Sequence, residues 1–173
     1  MANTSPSSAA QPAPEAPRYW LIKSEPDVFS LDDLRRAPHQ TTAWEGVRNY
    51  QARNFMRDEM RNGDRVLYYH SNCAIPGVVG LAEVASREAY PDPTQFAEDS
   101  RYYDPKSSCK SPRWLLIDVR YVAHFAKPVS LQVIKAHPVL QHMKVAQRGM
   151  RLSIQPVSPE HFDLVCRLGG CPY

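Results

Sequence analysis

Apolar residues along this 173-residue chain gather in short blocks separated by polar stretches that carry proline and glycine. Tyr19-Trp20-Leu21-Ile22-Lys23 is an unbroken apolar and aromatic run that stops at Ser24-Glu25-Pro26, the pattern of a first strand entering a turn. Ser30 stands three residues ahead of Asp33 as in a capping box, so Leu31 and Leu34 predict a short helix, which Pro38 closes. A second helix is predicted from Asn49 as N-cap, with Ala52, Phe55, Met56 and Met60 on one face, arginines on the other, and Gly63 at C′. Residues 65–71 have the aromatic and β-branched content of a strand, 72–77 suit a hairpin loop, and 78–84 return antiparallel. Tyr90-Pro91-Asp92-Pro93 is expected to break any regular element, and 99–112 to form a long surface loop.

Residues 114–125 are the longest strand candidate, with Leu115, Ile117, Val119 and Tyr121 on one face against Trp114, Leu116, Asp118 and Arg120. Ser130 caps a short helix through Ala136, residues 150–155 alternate with Leu152 and Ile154 opposite Arg151, Ser153 and Gln155, and Ser158-Pro159 opens a last helix that Gly169-Gly170 ends. Five or more strands at irregular spacing, short helices and no βαβ rhythm argue against a doubly wound parallel sheet. The reading is an α+β fold, a small mixed β-barrel with short flanking helices.

Composition narrows this little. The length suits one domain, and 43% hydrophobic with 10% aromatic residues is ordinary for a folded chain. Residues 1–18 lack apolar periodicity and carry four prolines, so a flexible tail is predicted there, with the domain over 19–173. No apolar run approaches the roughly 20 residues of a membrane span, and no signal peptide is apparent, so the expectation is a protein that is neither membrane-bound nor secreted. A net charge of +3 is too small for a broad basic surface, which makes any nucleic-acid contact local. Cys73, Cys109, Cys166 and Cys171 show no metal-ligand spacing and read as reduced thiols of a cytosolic or nuclear protein, without metal or cofactor.

Candidate chemistry concentrates in Trp44-Glu45-Gly46-Val47-Arg48-Asn49-Tyr50-Gln51-Ala52-Arg53-Asn54, which packs two aromatics, two arginines and three amides around one glycine. Rings of this kind stack on planar ligands, and guanidinium forks and amides read polar edges or hold phosphates. Trp20 and Trp44 are each either core aromatics or ligand platforms, and the polar neighbours of Trp44 favour the second reading for it. His70-Ser71 with Glu25, Asp27 and Glu45 could in principle build a hydrolase, but a His and a Ser adjacent on one strand point to opposite faces and no nucleophile motif is present, so no catalytic residues are assigned. Arg48 reads either as a phosphate contact or as a solvated helix-end charge.

Together with Tyr69-His70-Ser71, Tyr90-Pro91-Asp92 and Arg151-Leu152-Ser153-Ile154-Gln155-Pro156, the first-strand run and the Trp44 segment resemble, in order, the signature segments of the EVE domain family. The resemblance runs from about residue 19 to 168. It implies a PUA-like fold related to the YTH and ASCH domains, and a non-catalytic reader of modified nucleobases in DNA or RNA. By motif position it implies a pocket of Trp20, Lys23, Ser24, Trp44, Val47, Asn49, Tyr50, His70, Ser71, Arg151, Ser153 and Gln155. Trp44 stands where a YTH cage tryptophan aligns, and 99–112 supplies Tyr102 and Tyr103 where YTH domains place another aromatic. The implied partner is nucleic acid carrying a methylated or hydroxymethylated base, bound in the nucleus of a eukaryote or the cytoplasm of a bacterium. The other reading is a small-ligand or nucleotide sensor using the same pocket, and the salt dependence of binding separates the two.

Overall fold

The computed structural model describes residues 16–171, so the expectation of a tail over 1–15 lies outside the described residues. Arg18, assigned to that tail, is already part of the ladder: its N–H donates to Asp64 and its carbonyl accepts from Arg65.

The first strand, β1 (Tyr19–Ser24), is followed by α1 (Leu31–Arg36), β2 (Thr41–Ala43) and α2 (Tyr50–Asn54) before β3 (Arg65–His70). This length of crossover lets β3 pair parallel to β1, which a tight hairpin cannot do. The segment 71–76 then turns β3 into antiparallel β4 (Gly77–Val84), with Asn72 in the left-handed region at φ 49°. The two-residue strands β5 (Tyr90–Pro91) and β6 (Leu115–Leu116) form a separate ribbon, and β7 (Asp118–Ser130) leads into α3 (Leu131–Ala136), β8 (Ile154–Val157) and α4 (Pro159–Leu168). The main sheet has six strands in the order β2-β7-β4-β3-β1-β8.

Both faces of the sheet are buried, which explains why β1 and β3 read as continuous apolar runs. Trp20, Ile22, Val66 and Tyr68 face one cluster, completed by Leu31 and Leu34 of α1, Ala52 of α2 and Met56. Leu21, Leu67 and Tyr69 face the other, completed by Ile134 of α3 and by Phe162, Val165 and Cys166 of α4. The caps foreseen in the sequence hold the helices: Ser30 and Asp33 close a full capping box, and Asn49, Ser130 and Ser158 each accept a backbone N–H at their helix start.

Several expectations change. The barrel is an open half-barrel, because β2 and β8 stay at opposite edges of the sheet. Tyr90-Pro91 does form a strand, pairing with Leu116 and Leu115. The long candidate over 114–125 divides at Ile117, whose carbonyl accepts from Trp44 N–H instead of continuing the ladder. The second helix gives way at Phe55 to a single π turn over Phe55–Glu59 and ends at Met60, whose N–H reaches back to Phe55. Gln155, expected on the polar face with Arg151 and Ser153, is buried; the strand proper starts only at Ile154, and Gln155 pairs with Leu21 between the layers.

Candidate functional site

The C-terminal ends of β1 and β3 arrive side by side because the two strands run parallel. Lys23 stands opposite Tyr69 and Ser24 opposite His70, and Ser71 N–H continues the ladder to Ser24. A register shift at Tyr68/Tyr69 re-aims the side chains at this end of β3. On the other side of β1, Lys23 N–H donates to Ser153 O at 2.9 Å and Lys23 Nζ to Met150 O at 3.0 Å, which brings Arg151 and Ser153 to the same place. Burial lowers the Lys23 pKa from its ordinary value, though its ammonium keeps a carbonyl partner.

Aromatic rings line the adjoining face. Trp44 meets Tyr68 edge to face at 5.7 Å between ring centres, and Tyr68 meets His70 the same way at 5.8 Å. Tyr68 Oη and Ser24 Oγ both donate to Phe29 O, at 3.0 and 2.7 Å. His70 Nε2 accepts from Leu31 N–H at 3.2 Å, which puts the imidazole proton on Nδ1 in the neutral ring. Burial lowers its pKa, and His124 nearby adds to the effect.

A second layer positions the Trp44 loop. Gly46 has φ +81°, and a Cβ there would lie 2.5 Å from the Tyr102 ring, so only glycine allows this close approach. Asp92, whose side chain has no exposed surface, accepts from Gly46 N–H, Arg48 Nη1 and both the backbone and the hydroxyl of Thr94. Burial works to raise the Asp92 pKa, but these hydrogen bonds outweigh it and hold the carboxyl below the usual range. The rest of the Arg48 fork binds Thr94 Oγ1 and Tyr102 O. Arg48 is thus neither a solvated charge nor a free phosphate contact; its donors hold two loops together.

Lys23, Ser24, His70, Ser71, Arg151, Ser153 and Trp44 therefore come together, with Val47 buried in the same apolar cluster as Trp44. Trp44 is only 9% exposed, its ring largely covered by its neighbours. Asn49 Oδ1 is taken by the α2 cap, leaving its amide to donate. Trp20 does not join: it is 1% exposed, and its Nε1–H is bound to Asp64 at the start of β3. Gln155 does not join either, since its amide caps Leu152 O inside the core. Tyr50 lies apart, half-exposed and stacked on Trp114 at 4.8 Å. The pocket set read from the sequence leaves out Tyr68, Asp92 and Trp114, which belong to this arrangement. Asp92 carried a signal, an acid directly before Pro93-Thr94 that caps a single turn.

Residues 18–168 match the EVE domain. Thymocyte nuclear protein 1 of Homo sapiens is 43% identical, the alignment covering 87% of this chain and 73% of the human protein. The chain belongs to the EVE domain family. Among solved structures, human THYN1 protein in complex with 5-methylcytosine-containing DNA superimposes with a TM-score of 0.81 at 43% identity, over 88% of this chain and 97% of that one. A protein of Pseudomonas syringae gives a TM-score of 0.82 at 41% identity, over 87% of this chain and 99% of that one. The α+β, PUA-like architecture expected of an EVE domain is the one observed, with the barrel left open.

Proposed function

We propose that this chain reads a modified nucleobase without transforming it, and that 5-methylcytosine in DNA is the first ligand to test. The observation that carries this is the match, over nearly the whole domain, to human THYN1 solved with 5-methylcytosine-containing DNA. The pocket we assign is the junction of β1, β3 and the Trp44 loop. Trp44 and His70 supply ring surface, backed by the wholly buried Tyr68 ring packed edge-on against both; Ser153 Oγ and the Asn49 amide supply hydrogen bonds to the base edge, and Lys23 and Arg151 lie within the same junction to meet flanking phosphates. Extruding the base from duplex costs a few kcal/mol, and stacking on an aromatic returns about 1 to 3 kcal/mol. In this reading His70 is a structural acceptor for Leu31 N–H and not a general base.

Duplexes carrying 5-methylcytosine, 5-hydroxymethylcytosine, N6-methyladenine or no modification, titrated under one salt condition, test the proposal. One methyl group in a fitted pocket is worth about 1 to 3 kcal/mol, so the best modified duplex binds on the order of tenfold or more tighter than the unmodified one. Equal affinity for all four, or multiple-turnover base removal by the purified protein, overturns the reading. The thymocyte nuclear proteins among its relatives support the reading of a nuclear location for a chain of eukaryotic source.

A further inference from the structure

One local surplus of positive charge lies beside the Trp44 loop. Residues 101–113, which follow the acids Glu98 and Asp99, hold Arg101, Lys106, Lys110 and Arg113 against a single acid, Asp104. Arg101, Lys106 and Lys110 are exposed, and among the described residues none of the four basic side chains forms an ion pair. The acid is already engaged, because Asp104 accepts from Trp114 Nε1 at 2.8 Å and from Lys106 N–H.

This loop is held in place. Gln95, wholly buried, donates to the carbonyls of Asp92 and Trp114 and accepts from the N–H groups of Arg113 and Trp114 and from Ser107 Oγ. A continuous cation–π ladder then runs from α2 into the loop. The Arg53 guanidinium lies 4.8 Å from the Tyr50 ring, Tyr50 stacks on Trp114, Arg48 lies 5.5 Å from Trp114 and 5.3 Å from Tyr102, and Arg101 lies 4.9 Å from Tyr102. Tyr102 also covers Gly46, two residues from Trp44. Arg101 is thus fixed at one side of the loop that carries the proposed base platform, and Lys106 and Lys110 stand exposed on the same pinned segment, with Tyr50 and Tyr103 also exposed.

We infer that the 101–113 loop is the phosphate-tracking surface of this protein, gripping the nucleic-acid backbone beside the recognised base through Arg101, Lys106 and Lys110. The inference deepens the proposed function and rests on it. A rigid, locally basic and aromatic surface matches a charged polymer whose backbone must be held in register while one base is withdrawn, and contacts of this kind set position and affinity without reading sequence.

The triple variant Arg101→Ala/Lys106→Ala/Lys110→Ala, compared with wild type and with Lys127→Ala/Lys135→Ala/Arg167→Ala as a control of equal charge loss, tests it. Affinity for a 5-methylcytosine duplex and for its unmodified counterpart is measured across a series of salt concentrations, with thermal melts on the same samples. The expected result is a fall in affinity of equal factor for both duplexes, with the steepness of the salt dependence reduced by about one for each phosphate contact removed, while the preference for the modified duplex is retained. The control triple keeps the wild-type steepness. A loop variant that binds with wild-type affinity and steepness while still preferring the modified base overturns the inference and leaves the reader function standing. Equal losses in both triples also overturn it, since net charge alone then accounts for the effect. A wild-type protein that binds no duplex, modified or not, removes both.

Discussion

Arg48 Nη1 and Asp92 Oδ2 lie 2.9 Å apart, 44 residues apart in sequence, with the Asp92 side chain completely shielded from water. This pair fastens the Trp44 loop to the turn that follows β5. Removing one partner of such a pair leaves an uncompensated buried charge, which costs about 3 to 5 kcal/mol. Arg48→Ala is therefore expected to lower the melting temperature by several degrees, and Arg48→Lys to recover part of this, because an ammonium cannot span Asp92, Thr94 and Tyr102 O at once. A Lys variant as stable as wild type would show that the fork geometry is dispensable.

Acid stability follows from the same carboxylate. The Asp92 pKa is held below its unfolded value, so the unfolded chain takes up the proton first as pH falls. The stabilisation is complete above the unfolded value of about 4 and is lost as pH drops through the lower folded value. Asp92→Asn is expected to be less stable at neutral pH and to lose less on acidification than wild type. Denaturant titrations at pH 7 and pH 3 read the difference, and parallel losses in the two proteins would assign acid lability elsewhere.

His70 gives a second window. Its folded pKa is lowered, first by burial and then by His124, and its Nε2 needs a lone pair for Leu31 N–H. Stability from this group is present above the unfolded value of about 6.5 and declines as pH falls through the folded value, because the unfolded chain is protonated first. Stability measured between pH 7.5 and 5 is expected to fall in wild type and to flatten over this interval in His70→Gln. An unchanged slope in the variant assigns the titration to another group.

Gly46 carries both a left-handed backbone and a ring packed on its Cα. Gly46→Ala is expected to cost about 1 to 2 kcal/mol from backbone conformation alone, with a further steric part from Tyr102. In a double-mutant cycle with Tyr102→Ala the steric part disappears and the backbone part remains. Additive losses would mean the ring moves aside freely.

Trp44 is mostly buried yet proposed to stack, so stability and binding are read together. Trp44→Ala is expected to lose about 3 to 5 kcal/mol of folding stability. Trp44→Leu keeps apolar volume without an aromatic face and is expected to fold while losing about 1 to 3 kcal/mol in binding a 5-methylcytosine duplex. Trp44→Phe loses less. A folded Trp44→Leu that binds as wild type takes Trp44 out of the pocket.

Local signals were legible in the sequence because their physics is local. Ser30 with Asp33, Asn49, Ser130 and Ser158 satisfy helix-start N–H groups two or three residues away, and all four caps form. Alternation misled at Gln155, since period two says which side a residue faces but not that both faces of this sheet are covered. The candidate site was legible as segments, not as roles. Nothing near Arg48 in sequence reveals Asp92, and nothing near Trp20 reveals that Asp64 fixes its indole N–H in the core.

The parallel pairing of β1 with β3 also orders events during synthesis. One edge of β1 is met by β3, but the other waits for β8, at residues 154–157, the last strand of the sheet to leave the ribosome. Until then β1 presents a free apolar edge, the kind that recruits a stray strand. The sheet is therefore completed only after residue 157 has emerged, and a chain truncated before Ile154 is expected to aggregate instead of folding in part.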